Sequence, residues 1–347
     1  MIRQDSFQEE HIRHLQATSK RDPVLLERAV YAFGLLEALV RVGMPFIFKG
    51  GTCLMLLMEH PHRLSTDIDI IVNPDTDLDE YIKKAAEIFP FLSVEEQKRV
   101  GKNNIVKRHF KFTYDSPINN RSFYILLDVL FEENHYAETI IREIRNDLLL
   151  TDPEYLRVEI PSADCILADK LTAFAPHTTG IPLGAKKDME IMKQLYDVSS
   201  LLNVFSDCKK VRATYEAIAK AELEYRGLDI TINDCLWDTF DAALCIASRG
   251  KVNVEEYSLY VNGIRDLRGH IYSENYSTEI AAGRAVSVMY MAMCLLTGTS
   301  YTKVDDYGEY ANRMFKHDIL KPLRYLKKVN PEAYAYAIKT DEIMIDR

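Results

Sequence analysis

Apolar and polar positions change period several times along the chain, and each change marks an element. From Asp22 to Gly43 the apolar residues recur at helical spacing, with Asp22 placed to cap, Pro23 in the first turn and Gly43 at the end. A short apolar strand, Pro45 to Phe48, runs into Lys49, Gly50, Gly51 and Thr52, after which Leu54, Leu57 and Met58 begin another helical pattern. The β-branched run from Arg63 to Val72 has the alternation of a strand. Tyr81, Ile82, Ala85, Ile88 and Phe89 then predict a helix. His109 to Tyr114 and Ser122 to Phe131, joined by turn residues from Ser116 to Asn120, predict a hairpin. Arg157 to Ile160 reads as a further strand, and Pro161-Ser162 opens a helix whose apolar face is Ile166, Leu167, Leu171 and Phe174. Pro176 to Gly184 is rich in turn residues and reads as a loop with freedom to move, followed by a helix that ends near Asn203.

Beyond about residue 206 the periodicity is helical throughout: Val211 to Leu223, Asp234 to Ala247, Val254 to Leu267, Thr278 to Leu296, Tyr307 to Leu326 and Pro331 to Ile338. The pattern predicts an α+β protein, with a mixed β-sheet flanked by helices and followed by an all-α C-terminal bundle. A length of 347 residues exceeds what one core usually holds, so two domains are expected, 1–205 and 206–347.

Composition narrows the function classes. Hydrophobic residues at 47% and charged residues at 27% are those of a globular protein, and a net charge of −9 argues against wrapping nucleic acid through the overall field. Two local basic runs remain, Lys98, Arg99, Lys102, Lys107, Arg108, His109 and Lys111, and Lys316, His317, Lys321, Arg324, Lys327 and Lys328; such clusters are most often solvated faces. The six cysteines are scattered without C-x-x-C spacing, as buried thiols of a reducing compartment would be. The charged N-terminus does not resemble a signal peptide, and the longest apolar stretch, Ala285 to Leu296, is too short to span a bilayer. A cytoplasmic protein without a membrane partner is the expectation.

The chemistry concentrates between Phe46 and Asn73. Two glycines after a strand let the backbone turn tightly, and a turn that opens a helix suits phosphate. On an alternating strand Asp67 and Asp69 share a face, and two carboxylates so close favour a divalent cation; oxygen ligands without nearby Cys or His suit Mg²⁺ or Mn²⁺. Asp75, Asp77 and Asp79 repeat the D-x-D spacing but precede a helix, where capping accounts for them. Asp128 is the one acid in an apolar strand and needs a partner: a basic residue of a neighbouring helix, or the preferred reading, a third carboxylate on the same metal site. Lys193 and Asp197 fall at i and i+4, so an intrahelical ion pair would explain both.

Lys49-Gly50-Gly51-Thr52 followed by Arg63-x-Ser65-x-Asp67-x-Asp69 resembles the AbiEii-type nucleotidyltransferases. These are toxin halves of abortive-infection and type IV toxin–antitoxin pairs, within the DNA polymerase β-like nucleotidyltransferase superfamily. The resemblance implies a nucleotidyltransferase-type sheet. It also implies that Lys49, Gly50, Gly51, Thr52, Arg63 and Ser65 bind the nucleotide, and that Asp67, Asp69 and Asp128 hold the metal, with Asp128 helping to deprotonate the acceptor hydroxyl. Asp169-Lys170-Leu171-Thr172-Ala173 matches a further family motif, which makes Lys170 a triphosphate contact, and Asp197 matches a later acid. The expected activity is Mg²⁺-dependent transfer of a nucleoside monophosphate from an NTP to a hydroxyl of a tRNA 3′ end or a protein side chain, by a toxin that has a cognate antitoxin. The alternative is a nucleotidyltransferase-like binding protein without turnover. A D-x-D glycosyltransferase fits the glycine spacing poorly, and no Walker motif occurs.

Overall fold

The computed structural model describes residues 1–58, 60–97 and 106–345, so Lys98, Arg99 and Lys102 of the first basic run lie outside the described residues. The chain forms two compact units: Met1–Ser162 with Gly269–Glu274, and Ala163–Arg268 with Asn275–Arg347.

The first unit opens with α1 (Glu9–Ser19) and α2 (Pro23–Arg41). The Asp22 carboxylate accepts from the amides of Val24 and Leu25, and Pro23 occupies the first turn, as the pattern predicts. There follow β1 (Ile47–Lys49), α3 (Gly50–Leu57), β2 (Ile68–Val72), α4 (Asp79–Ala86), β3 (Ser93–Glu96), β4 (Lys107–Ser116), β5 (Arg121–Phe131), β6 (Thr139–Glu143) and β7 (Arg157–Pro161). Five strands make a mixed sheet in the order β1-β2-β5-β4-β3, and β6 pairs with β7. Among the described residues of this sheet β2 and β5 run parallel and the other neighbours are antiparallel.

One face of the sheet is a closed core. Phe110, Phe112 and Tyr114 of β4 and Ile125, Leu127 and Val129 of β5 are buried there, and Tyr31 of α2 stacks on Tyr114 at 3.8 Å. Glu27, fully buried on α2, accepts from Tyr114 Oη at 2.9 Å, Ser116 Oγ at 2.8 Å and the Ile118 amide at 3.3 Å. Burial, and then the Glu27 charge, push both phenols well above their ordinary range. Glu27→Ala would strand two buried donors and a half-buried amide and should cost about 3 kcal/mol, read as a lower denaturation midpoint in urea.

Strand β2 is shorter than the expected run from Arg63. Residues 62–64 bond instead to the 269–274 segment: Leu64 N donates to His270 O at 2.7 Å, Tyr272 N to His62 O at 2.8 Å, and Arg63 bridges Ile271. Asp67 therefore lies one residue before the strand rather than within it.

The second unit is helical: α5 (Ala163–Ala173), α6 (Asp188–Leu201), α7 (Cys208–Arg226), α8 (Ile232–Ala247), α9 (Val254–Leu267), α10 (Thr278–Thr297), α11 (Leu326–Val329) and α12 (Pro331–Ile343). The compact units divide at Ser162, whereas the sequence suggests 205. Buried Asp164 of α5 accepts from the amides of Ser206 and Asp207, and Thr214 Oγ1 reaches Cys165 Sγ at 3.2 Å, which fastens α5 to α7. In place of a helix from Tyr307 to Leu326 stand two 3-10 segments, Tyr307–Tyr310 and Asp318–Tyr325. The Asp341 carboxylate takes the amides of Lys316 and His317 and so holds the chain between them out of helical hydrogen bonding. Helix α10 is longer than the expected apolar stretch and, by length and composition, could cross a membrane; 67% of its apolar window is buried, in contact with α6, α8 and α12, as in the core helix of a globular protein.

The turn-rich stretch after α5 is clasped at its start. The amide and Nδ1 of His177 and the hydroxyl of Thr178 all bond to the Asp238 carboxylate at 2.8 Å, and His177 Nε2 lies 3.3 Å from Glu256. Burial alone would lower the imidazole pKa, but the bond and charge of Asp238, then Glu256, outweigh it and raise the value above 6.5. A raised folded value contributes stability that is full below the unfolded pKa and lost as pH rises through the folded one. The melting temperature of the wild type should therefore exceed that of His177→Gln most at about pH 6, and the gap should narrow on the alkaline side.

Candidate active site on the half-exposed sheet face

The face of the sheet opposite α2 carries a transverse row of polar side chains. The register pairs Lys49 of β1 with Asp69 of β2, Asp69 with Asp128 of β5, and Asp128 with His109 of β4. Cross-strand partners project to the same side, so the row reads cation, carboxylate, carboxylate, imidazole. His109 Nδ1 lies 2.6 Å from Asp128 Oδ1, and the Lys49 ammonium stands 5.8 Å from the centroid of the Tyr136 ring.

The glycine bend closes on this row. Gly50 has φ +82°, and a β-carbon there would stand 2.0 Å from Asp69 Oδ2; at Gly51 one would stand 2.5 Å from Ser65 Oγ and 2.8 Å from Arg63 Nη2. Gly50 needs glycine for its backbone conformation, and at both positions an added carbon would displace the side chains that face the bend. Thr52 Oγ1 donates to the Asp67 carbonyl at 2.7 Å, and the Ser65 amide points to Met55 Sδ at 3.1 Å. The structure thus brings Gly50, Gly51 and Thr52 against Arg63, Ser65, Asp67 and Asp69, two motifs that α3 separates in sequence.

Asp67, one residue before β2, has Oδ1 3.4 Å from Arg28 Nη2. Among the described residues no three His, Cys, Asp or Glu side chains are gathered as a ready-made metal cage. Arg28 beside Asp67 and His109 beside Asp128 offset part of the repulsion that neighbouring carboxylates exert on one another. A pair of carboxylates still suits Mg²⁺, which is commonly held by one or two of them together with substrate phosphates. The carboxylate pair and the glycine cradle against Asp69 fit that ion, although the expectation of no histidine nearby fails, because the hairpin register sets His109 against Asp128.

Lys170 and Asp197 lie in the second unit, where Nζ and Oδ2 form a buried ion pair at 3.1 Å. Asp197 is thus partnered by a lysine of α5, in addition to any contact along its own helix. Of the basic runs, Arg108 is engaged by Glu96 and Asp79, Lys111 lies over Tyr124 at 4.6 Å, and Lys321 pairs with Asp318. From the sequence His109 is named only as a member of a basic run, not as a partner of Asp128. The signal for it was present in the hairpin register, since pairing Ser116 with Arg121 across the turn sets His109 opposite Asp128.

No curated protein matches the sequence. Among solved structures, JHP933 from Helicobacter pylori aligns with 14% identity, a TM-score of 0.44 and coverage of 78% of this chain and 93% of that one. An antigenic nucleotidyltransferase-like protein from Paracoccidioides brasiliensis aligns with 16% identity and a TM-score of 0.38, covering 58% of this chain and 89% of that one. The family model for the nucleotidyl transferase AbiEii toxin of type IV toxin–antitoxin systems matches residues 35–256, well over half of the chain. The chain therefore belongs to the AbiEii nucleotidyl transferase toxin family.

Proposed function

We propose that the protein is a Mg²⁺-dependent nucleotidyltransferase that moves a nucleoside monophosphate from an NTP to a hydroxyl acceptor, a tRNA 3′ end or a protein side chain, and releases pyrophosphate. The observation that carries this reading is the register of Asp69 beside Asp128 with Gly50 packed against Asp69. In-line attack on phosphorus asks little of a protein beyond placement and charge compensation.

Asp69 and Asp128 would hold the metal, with Asp67 close by in sequence, and Mg²⁺ bound there would neutralise charge developing on the phosphates. The amides that open α3 have no partners within the helix and suit the triphosphate at the Gly50–Gly51 bend. Arg63 and Ser65, lying against Gly51, add a cation and a hydroxyl on the same side. Asp128 accepts the proton of the attacking hydroxyl, a role open to a carboxylate on a half-exposed face. Family membership supports a toxin role with an antitoxin partner, and six free thiols suit the reducing cytoplasm.

Incubation with Mg²⁺, each NTP labelled at the α-phosphate, and cellular RNA or protein tests the reading. Label should pass to one class of macromolecule, and label placed at the γ-phosphate should leave with pyrophosphate. Absence of transfer with every NTP would instead favour a nucleotidyltransferase-like binding protein without turnover, acting through contact with a partner.

A further inference from the structure

The row Lys49–Asp69–Asp128–His109 contains one residue to which neither the sequence motifs nor the proposed reaction gives a role. His109 is the more buried member of its pair, with a side chain 15% exposed against 36% for Asp128. An imidazole in that position loses water and needs an acceptor, and Asp128 Oδ1 at 2.6 Å supplies one. The contact requires a proton on Nδ1, which both the neutral Nδ1 tautomer and the imidazolium provide, so the bond does not depend on the charge of the ring.

An aspartate on a half-exposed strand face otherwise has several staggered side-chain positions open to it. A short bond to a ring fixed in the adjacent strand selects one of them. It also occupies Oδ1, so that Oδ2 is the oxygen left to work. Asp69 is constrained from another direction, by the bend at Gly50. The two carboxylates, which repel each other, are thus each fixed by a different neighbour. Groups that orient a ligand in this way without touching the metal govern affinity and rate through it.

We propose that His109 is the positioning residue of Asp128: its Nδ1–H holds the carboxylate so that one oxygen serves the metal and the acceptor hydroxyl. This rests on the nucleotidyltransferase reading above, and a bond across adjacent strands makes it separable from that reading by experiment. It also gives the β4–β5 hairpin a catalytic purpose, since the hairpin register aligns ring and carboxylate.

The test compares wild type, His109→Asn, His109→Leu and Asp69→Asn in two measurements. The first is Mn²⁺ affinity, by electron paramagnetic resonance of the free ion; the second is kcat and KM for label transfer. An asparagine can place its amide N–H where Nδ1 stood, whereas leucine fills the space without a donor. His109→Leu should bind Mn²⁺ and turn over roughly 10- to 100-fold more weakly, with KM for the NTP little changed, and His109→Asn should recover most of both. Equal urea midpoints for the two variants would separate this loss from misfolding. The inference is overturned if His109→Leu matches wild type in both measurements, or if His109→Asn is as impaired as leucine while equally stable. If wild type neither binds Mn²⁺ nor transfers label, and Asp69→Asn is indistinguishable from it, the transferase reading fails and takes the positioning role with it.

Discussion

Asp69→Asn should lower nucleotidyl transfer by roughly 10³-fold while leaving the fold intact. The amide keeps the shape of the carboxylate beside Gly50 but removes one of two negative charges that stand opposite each other on β2 and β5. Charge is what a metal and a triphosphate would use, so activity falls. Asp69 stands between the Lys49 cation on β1 and the Asp128 carboxylate on β5, so its charge takes part in one attraction and one repulsion, and removing it should leave the melting temperature about unchanged. Transfer assays and thermal melts of the same preparation check both halves. A variant as active as wild type would remove Asp69 from the mechanism, and one that melts well below wild type would mean that the charge holds the sheet together.

Gly50→Ala should be the next most damaging change, by another route. The added carbon must sit at φ +82° and 2.0 Å from Asp69 Oδ2, so either the bend or the carboxylate has to move. The backbone term alone is about 1–2 kcal/mol. A displacement on the order of 1 Å at a reacting group costs about 10²-fold in rate. Gly43→Ala supplies the control, because Gly43 also has positive φ, at +72°, but a carbon there would meet nothing within 4 Å. It should lose stability by a similar backbone cost and keep its activity. If the two alanine variants proved equally active once folded, the cradle between Gly50 and Asp69 would have no part in catalysis.

Where local rules and tertiary demands coincide, the sequence could be read directly. Asp22, Pro23 and Gly43 bracket α2 because capping and turn chemistry act within a few residues. The hairpin of β4 and β5 was legible from alternation and turn residues, and the glycine bend from its position after a strand. The edge strand β3, Ser93–Glu96, escaped because three of its four residues are exposed and polar, so no alternation marks it. Asp67 was placed on a strand because its neighbours are β-branched, yet residues 62–64 bond to a distant segment and the strand begins later. His109 needed the pairing register, a long-range property, and the partnership of Lys170 with Asp197 needed the packing of α5 against α6. Motif positions 49–52 and 63–69 were evident from spacing, but the contact between them depends on how α3 folds back.

The short return of residues 269–274 bears on synthesis. His62 and Leu64, which flank the arginine of the R-x-S stretch, take their backbone partners from this segment, and Arg21 bonds to the carbonyls of Tyr272 and Glu274. A ribosome delivers the N-terminal part first, yet this strap emerges only when residue 274 of 347 has been made. Nascent chains and proteolytic fragments that stop before Gly269 would carry both motifs without these backbone bonds to residues 62–64, so a settled R-x-S stretch should arrive late in translation.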